Sequence, residues 1–202
     1  MKLIRDTQHS LKLSSLVLAF LILSVSGCVE SNIISKTILK QSGDKNVIER
    51  HAVNDSMYFF EKGIGWSNTV NQARHYAKQN ARKKIFDKVG KEIEMRFNTI
   101  YSNFDKKEQE KFFSFNYDLL PFVFGNIEKK LIYDDSNSYQ LIRIKYKDES
   151  EVEEYKYFII VKVERNLVNE VLQLGIDEYF WQFFKKNEKT EEFYRRLKGV
   201  VL

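Results

Sequence analysis

VNQARHYAKQNARKKIFDKVGKEIEMRF, residues 70–97, decides the fold. Apolar residues recur in it at Val70, Ala73, Ala77, Ala81, Ile85, Val89, Ile93 and Phe97. Spacings of three and then four keep them in one stripe along a single helix face. The period predicts a helix running to about Ile100, with Ser67 as its N-cap and Gly90 as a weak point in the middle. Alanines fill the first half of the stripe, so the helix backbone can come close to a sheet.

Working outward, a short apolar run from Met57 to Phe60 leads into Gly63-Ile64-Gly65, read as a tight strand-to-helix turn. A phosphate cradle would need a third glycine, or a following Gly-Lys-Ser/Thr, and neither is present, so no nucleotide site is assigned. On the other side, Lys106 to Phe115 reads as a shorter helix, and Pro121 and Gly125 make the next segment a connection. Three strands are expected after it: Ile127–Tyr133, then Tyr139–Tyr146 after a turn at Asp134-Asp135-Ser136-Asn137, then Tyr155–Val163 after an acidic loop. In the last, Tyr155, Tyr157, Ile159, Val161 and Val163 alternate with Lys156, Phe158, Ile160, Lys162 and Glu164, the mark of a strand buried on one face. Helical spacing returns after Arg165 and continues past Gly175. The implied fold is α+β, a long amphipathic helix packed on an antiparallel sheet of three to four strands, with C-terminal helices.

The 202 residues carry a net charge of +5, which falls to +3 once residues 1–27 are set aside. Such a weak, well-mixed charge predicts no steering of polyanions, and nucleic acid is excluded as a partner. Residues 1–27 have a basic start, an apolar stretch from Leu13 to Leu23 and a small-residue end, as in a secretion signal too short to span a bilayer. Val25-Ser26-Gly27-Cys28 resembles a bacterial lipobox, in which the cysteine is lipidated. Each buried acyl methylene contributes about 0.8 kcal/mol, so several chains on Cys28 would hold the protein on its membrane. Cys28 is the single cysteine, and its acylation would leave no thiol for a disulfide or a nucleophile. Val29 stands where inner-membrane retention would need aspartate, which points to the outer membrane, with the domain facing the periplasm. Residues 28–55 read as lipidated cysteine and tether, in which Ile33, Ile34, Ile38 and Leu39 could form a helical turn, and 56–202 as one domain.

Chemistry-bearing constellations are sparse. His51 and His75 have no companions at metal-ligand spacing, and neither Asp134-Asp135 nor the run Asp148, Glu149, Glu151, Glu153 and Glu154 has the pattern of a calcium loop. No catalytic residue, metal or cofactor is assigned. Arg74, Lys78 and Arg82 form a basic row on the back of the long helix, read first as its wet face and second as a contact for anionic head groups or polymers. Tyr179, Phe180, Phe183 and Phe184, with Trp181 beside them, are either core or an interaction surface.

Lipobox, tether, Gly63-Ile64-Gly65 and the helix Ala73-Arg74-His75-Tyr76-Ala77-Lys78-Gln79-Asn80-Ala81-Arg82 resemble the small bacterial lipoproteins that include Helicobacter membrane-associated lipoprotein twenty and the FlgP flagellar proteins. The resemblance spans roughly residues 57–164. It implies a non-enzymatic outer-membrane lipoprotein of α+β type and, in the flagellar branch, a structural part around the motor. The leading expectation is thus a lipid-anchored envelope protein that assembles with itself or with envelope partners. The alternative is a monomeric envelope module holding a lipid, glycan or peptide in a pocket between helix and sheet.

Overall fold

A computed structural model describes residues 32–49, 56–102 and 104–202. The signal segment, the lipobox Val25, Ser26 and Gly27, and Cys28 lie outside the described residues. In chain order the elements are β1 (Ile33–Ser42), α1 (Lys45–Glu49), β2 (Tyr58–Ser67), α2 (Val70–Tyr101), α3 (Lys106–Glu128), β3 (Ile132–Tyr146), β4 (Glu151–Glu164), α4 (Arg165–Phe183) and α5 (Glu188–Lys198). The strands form one antiparallel sheet in the order β1-β3-β4-β2, so the fold is the α+β class expected.

Two compact units are distinguishable. The smaller holds described residues 32–40 and 141–154, that is most of β1 and the turn end of the β3–β4 hairpin. There the Tyr146 N–H donates to Ser150 O at 2.9 Å, the Glu149 N–H donates to Tyr146 O at 3.0 Å, and Glu149 takes the left-handed backbone conformation, φ 65°. The larger unit, 41–140 and 155–202, contains the helices and the main core.

Within the larger unit, α2 lies against β2. All the stripe residues from Ala73 to Phe97 are fully buried, and the helix runs through Gly90 unbroken. Thr69, not Ser67, is the N-cap: its side chain accepts from the Gln72 N–H, while the Ser67 hydroxyl donates to the Gln72 side chain at 2.8 Å. Gly63 and Gly65 belong to β2, not to a turn. Two residues apart, they present the same strand face to the helix. A Cβ on Gly63 would sit 2.1 Å from Ala77 O, and one on Gly65 2.0 Å from Ala73 O. Glycine on the strand and alanine on the helix are what permit this approach.

The same closeness lets one row of α2 cover the outer edge of β2. Asn80 Oδ1 accepts from the Ile64 N–H at 3.1 Å, Lys84 Nζ donates to Lys62 O at 3.1 Å, and Lys88 Nζ donates to Phe60 O at 3.2 Å. Four-residue spacing on the helix thus meets two-residue spacing on the strand, and outward backbone groups that water or another strand would pair are taken by side chains. On its other edge β2 pairs with β4, Gly63 opposite Ile159 and Gly65 opposite Tyr157. Tyr157, Ile159, Val161 and Val163 face the main core as expected, but Phe158 and Ile160 are also buried, against Val47 of α1. β4 is therefore covered on both faces in its middle, where the alternation predicted one.

Three further expectations are corrected. First, helix α3 passes straight through Pro121. Losing one helical N–H and crowding the preceding turn costs about 3 kcal/mol. Phe112, Phe115, Leu119, Val123 and Ile127 are all buried at helical spacing, each contributing about 1.5–3 kcal/mol, and their sum is larger. Second, β3 is one strand, not two around a turn at 134–137. The turn-forming residues bond to other elements instead: Asp135 and Asn137 contact Tyr157, and fully buried Ser138 accepts from the Asp44 N–H at 3.0 Å. Third, residues 33–42 and 45–49, read as tether, form β1 and α1.

Gly65→Ala should lose at least about 2 kcal/mol of stability in urea unfolding followed by circular dichroism, because backbone cannot yield to the new methyl. Gly125→Ala, at an exposed position of α3 where the added methyl meets nothing within 4 Å, should be neutral or gain up to about 1 kcal/mol. Equal stability of the two variants would show that helix and strand do not press together at Gly65.

Candidate functional site

Helices α3, α4 and α5 meet in a cluster of rings. Phe180 stacks on Phe184 with centroids 4.6 Å apart, Phe115 meets Phe180 edge-on at 5.8 Å, and Phe193 of α5 lies 5.5 Å from Phe180 and 5.7 Å from Phe112. Gly175 allows α4 this near to α3, since a Cβ there would be 2.5 Å from Leu119 Cδ1. Helix α5 is held by a capping box in which Asn187 and Thr190 bond each other's backbone, with acids in its first turn and bases in its last. Its Tyr194 hydroxyl donates to Asp177 of α4, and Lys198 Nζ lies 2.8 Å from the other oxygen of that carboxylate.

This packing divides the aromatic stripe that the sequence left as either core or interaction surface. Phe180 is fully buried and is core, and Phe184, 6% exposed, is core except for one edge. Tyr179 and Phe183 are half-buried, Tyr179 against the Phe122 ring at 5.5 Å. Trp181 remains 37% exposed.

Trp181, Phe183 and Phe184 line a shallow groove of about 740 Å³ together with Tyr194 and Gln182. Every charged residue lining it is a lysine: Lys111 of α3, and Lys185 and Lys186 after α4. Lys186 has Glu191 at 3.6 Å, whereas Lys111 and Lys185 have no ion pair among the described residues. An apolar aromatic floor with two unpaired lysines at its rim suits an anionic partner carrying an apolar side chain. Lys185-Lys186 directly after the aromatic run was a signal available in the sequence; Lys111 comes from a distant helix, and nothing local announces it.

The basic row on α2 is differently placed. Arg74 Nε donates to Asp135 Oδ2 at 2.6 Å, Lys78 Nζ lies 3.5 Å from the same oxygen, and Arg82 pairs with Glu128. Arg74 and Lys78 thus share the nearly buried Asp135 and Arg82 the half-exposed Glu128, while the side chains of all three cations stay 43–47% exposed. The Asp135 side chain is 11% exposed. Burial alone would raise its pKa, but hydrogen bonds from Arg74 and Tyr157, with the charges of Arg74 and Lys78, outweigh burial and hold it below the usual carboxylate range. Burial, then the bond to Asp135, pushes the Tyr157 hydroxyl well above the ordinary tyrosine range, so it serves as a neutral donor at 2.7 Å. The cluster clamps β3 to α2 and β4. Among the described residues, no three His, Cys, Asp or Glu side chains converge where a metal could sit, and no helix is long and apolar enough to cross a membrane. The helix–sheet seam where a small-ligand pocket was considered is closed at Gly63 and Gly65 by backbone contact.

No family model, curated protein or solved structure matches the chain.

Phe180→Ala should cost about 3–5 kcal/mol, as a full cavity in the core, and Trp181→Ala about 1 kcal/mol or less. Unfolding midpoints measure both; similar losses would return Phe180 to the surface. A second expectation concerns pH. The folded pKa of Asp135 lies below the unfolded value of about 3.9, so its contribution is present above about pH 4 and is lost as pH falls through the folded pKa. Asp135→Asn should lower stability at pH 7 and flatten the acid decline. Urea midpoints that fall in parallel for both proteins from pH 7 to pH 3 would rule the clamp out.

Proposed function

We propose that the protein is a lipid-anchored cell-envelope protein, held at the outer membrane through Cys28, that acts by assembling with itself or with envelope partners and performs no chemistry. The observation that carries the assembly reading is the groove of Trp181, Phe183, Phe184 and Tyr194 beneath Lys111 and Lys185. Aromatic residues are favoured at protein contacts because they bury much area at little entropy cost, and unpaired cations at the rim select acidic partners. The anchoring reading is supported by Val25-Ser26-Gly27-Cys28 following an apolar stretch. Resemblance to the flagellar lipoproteins names one setting for such an assembly, a ring about the motor.

The test uses the full chain, produced in a bacterium that processes lipoproteins and extracted from the membrane fraction in mild detergent. Intact mass should show acyl chains on Cys28, and Cys28→Ser should move the protein out of the membrane fraction. Light scattering across a concentration range should give a protein mass of several copies, or of one copy with a stoichiometric partner. An unacylated Cys28 would end the anchoring reading, and a solitary monomer at every concentration would end the assembly reading.

A further inference from the structure

The strongest unassigned complement to the groove lies on the chain itself. Residues 148–154, Asp-Glu-Ser-Glu-Val-Glu-Glu, carry five carboxylates and no base. They form the turn and first residues of β4, where Val152 is 41% exposed among the acids. Arg143 takes up Glu153 at 2.7 Å and Glu151 at 3.6 Å. Asp148, Glu149 and Glu154 have no cationic partner among the described residues. Glu149 also occupies the left-handed position of its turn, φ 65°, where glycine would be unstrained, so a carboxylate stands at the turn against its own backbone preference.

We infer that the lysine-rimmed aromatic groove of one copy receives the acidic β3–β4 turn of a second copy. The inference rests on the assembly reading and deepens it by naming the partner surface. Lys111 and Lys185 meet Glu149 and Glu154, and Val152 enters the aromatic floor, the one apolar side chain in an otherwise acidic segment. The groove volume of about 740 Å³ falls in the range, about 300–1,000 Å³, of sites that hold a compact ligand or a few residues of peptide. Groove and turn are different surfaces, so each copy offers one of each and the contact runs head to tail. Such a contact closes into a ring where the rotation between copies allows and otherwise extends as a filament.

Charge reversal on the full chain in detergent tests this. Lys111→Glu with Lys185→Glu and, separately, Glu149→Lys with Glu154→Lys alter exposed or half-exposed side chains, and unchanged circular dichroism shows that each variant folds. Each pair of substitutions should weaken self-association at least tenfold. The two variants mixed at equal concentration should reassemble, because each then presents the charge that the other lacks, and a chain carrying all four substitutions should associate like the original. Raising the salt concentration should weaken every one of these contacts. If the original chain assembles and either paired variant keeps the same mass, or the mixture fails to reassemble, this docking is overturned while the assembly reading stands. If the original chain is a monomer that holds a different protein at fixed stoichiometry, self-docking is likewise overturned and the assembly reading is kept. A solitary monomer overturns both.

Discussion

Much of the larger unit depends on how closely α2 lies against β2. Gly63 and Gly65 on the strand, and Ala73, Ala77 and Ala81 on the helix, bring two backbones to a separation at which one added methyl would collide with a carbonyl. Little apolar area is buried by such small residues, so the seam itself is a modest source of hydrophobic stabilisation. Its value is geometric. At this separation the short amide of Asn80 and the stems of Lys84 and Lys88 reach the strand's outward backbone groups. Farther along the stripe the side chains enlarge to Ile85, Val89, Ile93 and Phe97, and the Phe97 ring meets Phe112 of α3 at 5.6 Å. The helix thus passes from a tight seam with a strand to a ring-filled contact with other helices.

Charge is used in two ways on the same molecule. Around Asp135 two cations and a phenol are directed inward onto one nearly buried carboxylate, and hydrogen bonds decide the balance against desolvation. Around the aromatic groove the lysines face outward, two of them with no acid to meet among the described residues. A net charge of +5 hides this difference. What separates a structural cation from an available one is the presence of a carboxylate within about 4 Å, and that is set by the fold and not by composition.

The long helix was legible residue by residue, because a stripe of eight apolar positions at spacings of three and four has no competing reading. The alternation in β4 was legible too, though not the cover that α1 adds to its second face. Local signals failed where distant groups overruled them. Pro121 and Gly125 argued for a break, yet five buried side chains keep α3 continuous. Asp134 to Asn137 have turn chemistry, yet Asp135 is bonded by Tyr157 and Arg74 and Asn137 by Tyr157, which no local window contains. At the candidate site the aromatic residues were visible, but which rings turn inward depends on α3 and α5: Phe180 and Phe184 are enclosed by Phe115 and Phe193, and Trp181 is left half outside.

The covered edge of β2 bears on what happens when many copies meet. A chain confined to a membrane surface, as on the proposed reading, encounters its neighbours at high local concentration, where exposed strand edges tend to zip into stacked sheets. Asn80, Lys84 and Lys88 act along β2 as a built-in terminator, because three of the backbone groups that a further strand would need there are already bonded. Encounters there must be read by side chains, which can be selective, and not by the main chain, which any polypeptide could match.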